Sequence, residues 1–401
     1  MNQNNVNQPA MGKVKVFKGS PMYSQGATSI YQRSPSLRSA SYEQQYQALM
    51  GALFGFSDFW KKNLESLGGY EVEEVLTNCK DLQLKWAEEH HVKLQSDDWQ
   101  REVLLHQIAH YQPDILFAHD YNVFDNHFLK NIKQQVPSIK MVIGWDGILL
   151  HDPARFQEFD LMLSPLRLTA DFYKSAGKRA YYFPFGFETS IMDSLKQVKE
   201  KRYEVSFVGS IFSKAHRERM ELLVFLSKHI KLSLWGAHFP KKNEKKEWFP
   251  WAYPQRQRLL NRQWQEWWAI WKLAPINQGG VFGIDMYQVL AESMITLNKH
   301  IDVVPNAEAA NMRLYEATGV GTCLVTDYKE NLNDIFTIDE EVVAYKSKEE
   351  CLDKVKYLLK HPKECARIAK AGQKKVMENY SFRKRVLDFV PYLEQLLEEK
   401  I

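Results

Sequence analysis

The sequence has little of what marks secreted, membrane-spanning or zinc-binding proteins. Its 401 residues include four cysteines, none in a C-x-x-C pair or at zinc-finger distance from a histidine, so we expect reduced thiols. No stretch approaches about 18 uninterrupted apolar residues, the length needed to span a bilayer. The first residues, MNQNNVNQPAMGK, carry no apolar core of the kind found in secretory signals. These features predict a cytoplasmic protein.

The sequence also lacks a large net charge of either sign. The 53 Lys and Arg residues nearly balance the 49 Asp and Glu residues, which leaves a formal net charge of only +4. Nucleic-acid-binding proteins usually carry a stronger basic bias or a basic stripe, and the densest basic run, residues 241–246, is interrupted by Glu244. We therefore expect no nucleic-acid partner, whereas a small positive excess suits an anionic small molecule.

Several catalytic motifs are missing too. The sequence contains no G-x-S-x-G of a serine hydrolase and no G-x-x-x-x-G-K-(S/T) of a P-loop enzyme. No D-x-D pair follows a predicted strand, and no His, Asp and Glu residues have the spacing of metal ligands. We expect neither a required metal nor a required cofactor.

What the sequence does contain is two successive series of alternating strand and helix patterns. Short apolar runs such as DILFA at 114–118 and EVSFV at 204–208 are typical of buried parallel strands. The alternation predicts an α/β protein with two parallel sheets, each covered by helices on both faces. Residues 19–41 are interpreted as a long loop, and residues 43–66 have helical spacing.

This pattern predicts four regions along the chain. Residues 1–11 form a disordered tail, 12–187 a first Rossmann-like domain, 188–380 a second, and 381–401 a final helix that packs back on the first domain. Ligands of such sheets bind beyond the carboxyl ends of the strands. We therefore expect one binding cleft between the two domains.

The segment 306–327, NAEAANMRLYEATGVGTCLVTD, combines polar groups with a helix pattern that leads into a short strand. We predict a helix from Ala307 to Thr318, with Arg313 and Glu316 on one face. The free N–H groups at its start favour an anion, so a phosphate there and a ribose held by Glu316 would make a nucleotide site. The alternative is a solvent-exposed helix with a weak Arg–Glu pair, and the residues alone leave both open.

ANMRLYEATGVGTCLVTD resembles the signature of group 1 type glycosyltransferases, which reads N-x-R-x-(F/Y)-E-A-x-(A/G)-x-G before an apolar strand and an Asp. It is most similar to the bacterial branch that includes spore-maturation-protein-like glycosyltransferases. The segments 207–223, FVGSIFSKAHRERMELL, and 342–386 resemble the opening of the second domain and the closing helices of the family. The resemblance covers most of 203–390 and is looser over 43–190.

The resemblance implies a GT-B architecture, with two facing Rossmann-like domains and a nucleotide-diphosphate-sugar donor held mainly by the second. It implies a hexosyltransferase-like enzyme of glycan biosynthesis, and the missing metal-binding motifs predict that this enzyme is metal-independent. The position of Glu308, eight before Glu316, matches the E-x7-E pattern of many members only weakly. Together with the ends of the predicted strands, the matched motifs give these donor-binding candidates: Gly209, Ser210, Lys214, Arg217, Asn298, His300, Asn311, Arg313 and Glu316. His216 could also meet phosphate charge.

The first domain is expected to bind the acceptor. His119 and Asp120 follow the strand DILFA, and Asp146 follows MVIGW, so all three occupy strand ends. A carboxylate or imidazole there could act as general base on an acceptor hydroxyl. The alternative is that each side chain caps a helix or stabilises a turn.

An insertion at 248–274 is rich in Trp and Arg, and it has three interpretations. It could contact a membrane surface, which would place the protein at the inner face of a membrane. It could stack on acceptor sugars. Otherwise, Trp264, Trp267, Trp268 and Trp271 form an apolar stripe that packs on the domain.

The function predicted from these features is sugar transfer from a nucleotide sugar to a hydroxyl-bearing acceptor: a glycan, a lipid-linked molecule or a protein. Two alternatives stay open. A nucleotide-sugar epimerase can share the architecture and needs no acceptor, and a non-catalytic relative would bind nucleotide as a scaffold. A homodimer is a further option.

Overall fold

The computed structural model describes residues 12–400 except 56, 148–151, 212–215, 238, 240–241, 243–263 and 302–307. The chain forms two compact units. One contains the residues up to Phe183 and those from Val386 onward, and the other contains Pro184–Arg385. The predicted disordered tail, residues 1–11, lies outside the described residues.

The first unit is built around a sheet of six parallel strands in the order β2-β1-β3-β4-β5-β6. Its elements are β1 Val14–Ser20, α1 Ser24–Arg33, α2 Tyr42–Met50, α3 Phe59–Glu65, β2 Tyr70–Leu76, α4 Lys80–Glu89, α5 Trp99–Tyr111, β3 Ile115–Ala118, α6 Asn126–Gln135, β4 Met141–Trp145, β5 Leu161–Ser164, α7 Arg167–Ser175 and β6 Ala180–Tyr182. Every residue of β3, β4 and β5 is buried, as expected for a parallel sheet covered on both faces.

The second unit contains a sheet of five parallel strands in the order β11-β10-β9-β7-β8. Its elements are α8 Ile191–Ser194, β7 Tyr203–Ser210, α9 Arg217–Leu226, β8 Leu232–Ala237, α10 Trp264–Leu273, α11 Gly283–Ala291, β9 Ser293–Asn298, α12 Arg313–Gly319, β10 Cys323–Asp327, α13 Leu332–Ile335, β11 Val343–Tyr345, α14 Lys348–Lys360, α15 Pro362–Asn379 and α16 Phe382–Glu398. Apolar side chains of β7, β8, β9 and β10 form its core with α9 and α14. The predicted α/β class with two parallel sheets is confirmed.

The last helix, α16, is assigned to the first unit from Val386 onward. Within that unit, the Tyr70 hydroxyl donates to Glu394 Oε1 over 3.0 Å. The ring of Phe389 packs against those of Tyr181 and Trp60. Among the described helices, none is both long enough and apolar enough to cross a membrane.

Three local predictions were wrong or incomplete. The interpretation of 19–41 as a loop was wrong, because it contains α1 and a 3-10 helix, Pro35–Ser39. The sequence of α1 predicts a helix only weakly, but tertiary contacts stabilise it. Tyr31 is buried, and its hydroxyl donates to Gln45 Oε1 over 2.8 Å. The helical pattern of 43–66 corresponds to two helices, α2 and α3. The helix predicted to start at Ala307 begins at Arg313, and residues 308–310 are not helical.

Candidate functional site

The carboxyl ends of β9 and β10 meet at one edge of the second sheet, because Asn298 lies opposite Thr326 in the register. Asp327 accepts hydrogen bonds from the backbone N–H of His300 over 3.0 Å and from its Nδ1 over 2.7 Å. The ammonium groups of Lys299 and Lys329 lie 3.5 and 3.4 Å from Asp327 Oδ2. We call Lys299, His300, Asp327 and Lys329 the basic cluster.

The basic cluster holds the ionised carboxylate of Asp327 between two ammonium groups, and Lys299 also pairs with the exposed Glu218 over 2.7 Å. Burial acts to raise the pKa of Asp327, but hydrogen bonds from His300 and the charge of Lys299 outweigh it and hold that pKa well below its usual range. His300, Asp327 and Lys329 are all buried. The remaining ring nitrogen of His300, Nε2, is buried and has no hydrogen-bond partner in the described parts of the chain.

Two predicted donor-binding asparagines lie beside this cluster. Asn311 Nδ2 donates to Asn298 Oδ1 over 2.9 Å, and Asn298 Nδ2 donates to Thr326 Oγ1 over 2.9 Å. Asn311 Oδ1 is buried without a hydrogen-bond partner in the residues described. The structure thus brings Asn298, His300 and Asn311 together, with polar atoms left for a ligand.

Glu316 lies in α12 and is buried, with 6% of its surface exposed. Its Oε2 is 2.9 Å from Arg313 Nη1, and the Tyr287 hydroxyl donates to its Oε1 over 3.5 Å. Burial raises the pKa of Glu316, although Arg313 and Tyr287 oppose the shift. The alternative of a solvent-exposed Arg–Glu pair was therefore wrong. Within the described residues, Oε1 has only this long hydrogen bond and could accept another from a ligand. The ribose role of Glu316 stays a prediction.

The predicted phosphate site at a helix start near Ala307 needs correction. Ala307 lies outside the described residues, and α12 begins only at Arg313 and has 7 residues. Since α12 has fewer than two turns, its start is not the predicted helix-terminus site for a phosphate.

Gly209 and Ser210 end β7, and Arg219 of α9 fixes this end. Arg219 Nη1 donates to the carbonyl of Ser210 over 2.6 Å, while Nε and Nη2 donate to the carbonyl of Lys299 over 3.1 and 2.6 Å. A Cβ added to Gly209 would lie 3.4 Å from the Phe207 ring, an ordinary contact. Packing therefore leaves room for a Cβ, but the φ of Gly209, 159°, is one that other residues rarely adopt, so the backbone itself favours glycine here. Close approach of a ligand stays a prediction.

Sequence reasoning selected Arg217 and missed Arg219. Arg217 is more than half exposed and pairs with Glu221 over 3.0 Å, whereas Arg219 is buried. The helical spacing of the sequence could have identified Arg219. It lies three, four and seven residues before Leu222, Leu223 and Leu226, and therefore on the same, apolar face of the helix. Lys214 lies outside the described residues.

His216 is a poor phosphate ligand in its resting form. Burial and the nearby charge of Arg219 lower its pKa to about 4. The imidazole is therefore neutral at neutral pH and adds no positive charge there.

The first sheet carries the predicted acceptor residues at its carboxyl edge. Asp120 accepts from Thr77 Oγ1 over 2.7 Å and from the backbone N–H of Asn122 over 3.2 Å. The ring of His119 stacks between those of Phe117 and Trp145, at centroid distances of 5.6 and 5.1 Å. Burial, together with the charge of Lys18, lowers the pKa of His119 well below its usual value, so this imidazole is neutral.

Asp146 is completely buried. Its Oδ2 accepts from the Tyr173 hydroxyl over 2.8 Å, and its carbonyl accepts from Ser164 Oγ over 2.7 Å. Burial and the charge of Asp146 raise the pKa of Tyr173. This geometry is consistent with the structural alternative for Asp146, and the catalytic roles of His119, Asp120 and Asp146 stay predictions.

The Trp-rich insertion is described only from Trp264 onward, and side chains only from Trp268 onward. Trp268 and Trp271 are 39% and 50% exposed, whereas Ala269, Ile270 and Leu273 form the buried face of α10. The predicted packing stripe was therefore wrong for Trp268 and Trp271. Trp264 and Trp267 lie outside the described side chains.

No group of three or more His, Cys, Asp and Glu side chains that could hold a metal ion occurs in the described part of the chain. The four cysteines are buried and unbridged.

Comparisons with known proteins agree with this architecture. Residues 217–390 match the family model described as glycosyl transferase-like. No curated protein matches the chain.

Solved structures resemble the chain over nearly its whole length. Sucrose-phosphate synthase from Thermosynechococcus elongatus superimposes with a TM-score of 0.57 at 12% identity, covering 96% of this chain and 100% of that one. Anabaena HepE in complex with UDP-glucose gives a TM-score of 0.57 at 11% identity, covering 95% and 99%. A glycosyltransferase from Rickettsia africae gives 0.57 at 10% identity, covering 97% and 99%. At such identities the likeness shows the fold alone. The chain thus has a GT-B fold like that of these solved structures, and its residues 217–390 match the glycosyl transferase-like family.

Proposed function

We propose that the protein is a glycosyltransferase that moves a hexose from a nucleotide-diphosphate sugar to a hydroxyl-bearing acceptor. The observation that carries this proposal is the basic cluster, in which two lysines and a histidine surround a single buried carboxylate. These basic side chains lie at the carboxyl ends of parallel strands, where ligands of such sheets bind. A diphosphate is the anion that suits it.

The donor would be held by groups that surround this edge. Lys299, His300 and Lys329 would face the diphosphate, and the Asn311 side chain would bind a hydroxyl or phosphate oxygen. Glu316 would hold the ribose, with Arg313 fixing its orientation from 2.9 Å. The HepE structure contains UDP-glucose, which makes a uridine donor the first to test.

Transfer breaks the bond between the sugar and the diphosphate while the acceptor oxygen bonds to the same carbon. Negative charge then develops on the departing diphosphate, and preorganised positive groups stabilise it. We propose that the lysines of the basic cluster provide this stabilisation without a metal ion, so that a chelator leaves the rate unchanged. His119 or Asp120 in the first domain is proposed to orient or deprotonate the acceptor hydroxyl.

The acceptor is proposed to be a glycan, lipid-linked or protein molecule in bacterial glycan biosynthesis. Assignment to the spore-maturation-like branch is also a proposal. If the protein is a homodimer, its sedimentation mass will be twice that of the chain.

Exposed tryptophans support a peripheral contact with an anionic membrane at the cytoplasmic face. Lys228 Nζ lies 4.5 Å from the ring centroid of Trp268, and Lys272 Nζ lies 5.2 Å from that of Trp271. Indole rings with lysines suit the interface of a bilayer that contains acidic lipids.

Vesicle sedimentation tests this contact. The wild-type protein should sediment with phosphatidylglycerol vesicles and not with phosphatidylcholine vesicles, and the W268A/W271A variant should stay in solution. Equal sedimentation of both proteins would contradict the contact. Lower affinity of the variant for a glycan acceptor would instead indicate sugar stacking.

A thermal-shift panel tests the function itself. Derivatives of UDP, GDP, dTDP, ADP and CMP are added to the wild-type protein. A bound ligand present at about 100 times its dissociation constant stabilises the protein by about 2.7 kcal/mol. No shift with any nucleotide would contradict the proposal, and conversion of the donor into an isomer without acceptor would indicate an epimerase.

A further inference from the structure

The strands β7 and β9 separate at their carboxyl ends. Their pairing ends at Phe207 and Leu297. Beyond that point β7 continues along β8 as far as Ser210, and β9 continues along β10 as far as Asn298. Because the chain leaves β7 for β8 on one side and returns to β9 on the other, this opening is a switch point of the sheet, where ligands of open α/β sheets bind.

The guanidinium group of Arg219 spans this opening. Its Nη1 donates to the carbonyl of Ser210, the last residue of β7, over 2.6 Å. Its Nε and Nη2 donate to the carbonyl of Lys299, the residue after β9, over 3.1 and 2.6 Å. Arg219 is buried, with 7% of its surface exposed. A planar group with fixed N–H directions can hold two carbonyls at a set separation, which the compact ammonium group of a lysine does less well.

Both carbonyls adjoin groups that the proposed donor would approach. Ser210 follows Gly209, and Lys299 belongs to the basic cluster. Carbonyl oxygens carry partial negative charge, and Arg219 offsets that charge with a positive one that does not titrate. The bridge therefore fixes the backbone of Gly209 relative to that of Lys299, and it makes the opening more favourable for an anion.

We propose that Arg219 is a positioning residue, which holds the ends of β7 and β9 at the separation that seats the donor's diphosphate between Gly209 and Lys299. This rests on the proposed function. Arg219 acts through the two carbonyls and not through contact with the donor. Its replacement should therefore misplace the leaving diphosphate in the transition state more than it weakens binding of the nucleoside, which Glu316 would still hold.

Release of the nucleoside diphosphate, with water as acceptor, measures this effect. UDP-glucose, GDP-mannose, dTDP-glucose and ADP-glucose are supplied in turn, and kcat and KM are determined for the donor that the wild-type protein cleaves. Arg219→Gln removes both the charge and the bridge. Its kcat should fall about 10-fold or more, because small displacements of reacting groups are costly, whereas its KM should change less than about 3-fold.

A conservative variant and a matched control separate the bridge from charge and folding. Arg219→Lys keeps the charge without the planar fork. It should recover the melting temperature that Arg219→Gln loses but not the kcat, and it gives a second reading if Arg219→Gln folds poorly. Arg202→Gln removes an arginine just before the amino end of β7, whose side chain is 72% exposed. It should leave kcat and KM unchanged.

The results tell failure of this role from failure of the proposed function. If the wild-type protein cleaves none of the four donors, the proposed function fails and the role of Arg219 fails with it. If the wild-type protein cleaves one, only the positioning role is overturned by folded Arg219 variants that keep the wild-type kcat, whether or not their KM rises. Recovery of kcat by Arg219→Lys alone would mean that charge suffices, and would overturn the bridge.

Discussion

Variants of Glu316 can separate the contribution of its ion pair with Arg313 to folding stability from any role of Glu316 in nucleotide binding. Glu316 Oε2 lies 2.9 Å from Arg313 Nη1, and the two side chains are 8% and 13% exposed. Removing one partner of a buried pair costs about 3–5 kcal/mol, because the other charge stays buried without compensation. Among the described residues, the guanidinium also lies 3.3–3.4 Å from the Met286 sulfur, which is a weak acceptor.

We expect Glu316→Ala to cost about 3 kcal/mol, the lower end of that range, since Arg313 keeps some access to water. Glu316→Gln should cost about half as much, because its amide oxygen can still accept from Arg313. The double replacement R313M/E316L removes both charges and should recover most of the loss. Urea denaturation monitored by tryptophan fluorescence measures all three.

A loss below about 1 kcal/mol for Glu316→Ala would show that the pair behaves like a surface ion pair, and would refute this reasoning. The binding role is read separately, from the thermal shift caused by a nucleotide. If R313M/E316L is stable but gives no shift, the pair contributes to the ligand site. If Glu316→Ala keeps the full wild-type shift, the ribose assignment is wrong.

Three further predictions concern the packing and charge of other buried groups. Gly319→Ala should destabilise the folded protein by about 1–3 kcal/mol, because the new Cβ would lie 2.4 Å from the Phe187 ring. Gly69→Ala is the control, since a Cβ at Gly69 would have no atom within 4 Å. Equal denaturation midpoints for the two variants would contradict the close packing at Gly319. Asp327→Asn should cost about 2–3 kcal/mol at neutral pH. Its folded-state pKa lies below the unfolded value of about 3.9, so this stability is present above that pH and is lost as the pH falls further; a penalty that persists unchanged at acid pH would refute the sign. Tyr173→Phe should cost about 1.5–3 kcal/mol in thermal unfolding, since it removes a hydrogen bond to the buried Asp146 carboxylate; an unchanged midpoint would mean that Asp146 has other support.

The sheets were predictable because their strands are short apolar runs, which are too short to form helices and are typical of buried strands. The sequence ILFA of β3 is buried at every position, and it cannot be an amphipathic helix of useful length. The position of a polar residue after such a run follows directly, which is how Asn298, His300 and Asp120 were selected.

The start of α12 was not predictable from local preference. Residues 307–310, Ala-Glu-Ala-Ala, have high helix propensity, yet 308–310 are not helical. In the fold, the backbone N–H of Ala309 donates to Asn331 Oδ1, and Asn331 Nδ2 donates to the carbonyl of Ala309 over 3.5 Å. A side chain distant in sequence therefore takes the hydrogen bonds that a helix would have used.

The basic cluster was missed for a related reason. Lysines such as Lys299 and Lys329 are usually exposed, and sequence gives no sign that the folded chain buries Lys329 and leaves the side chain of Lys299 only 15% exposed. Both lie within 3.5 Å of Asp327, which the sequence places at a strand end without showing what surrounds it. The exposure of Trp268 and Trp271 was missed likewise, because spacing on a helix does not tell which face packs.

Donor turnover tests the central claim most directly. The wild-type protein is incubated with UDP-, GDP-, dTDP- and ADP-sugars, and the products are followed by mass spectrometry, with the R313M/E316L and His300→Gln variants in parallel. The account predicts that one donor releases its nucleoside diphosphate, and that both variants release it more slowly although they remain folded. Release at the wild-type rate by both variants, or no release from any donor by the wild-type protein, would contradict it.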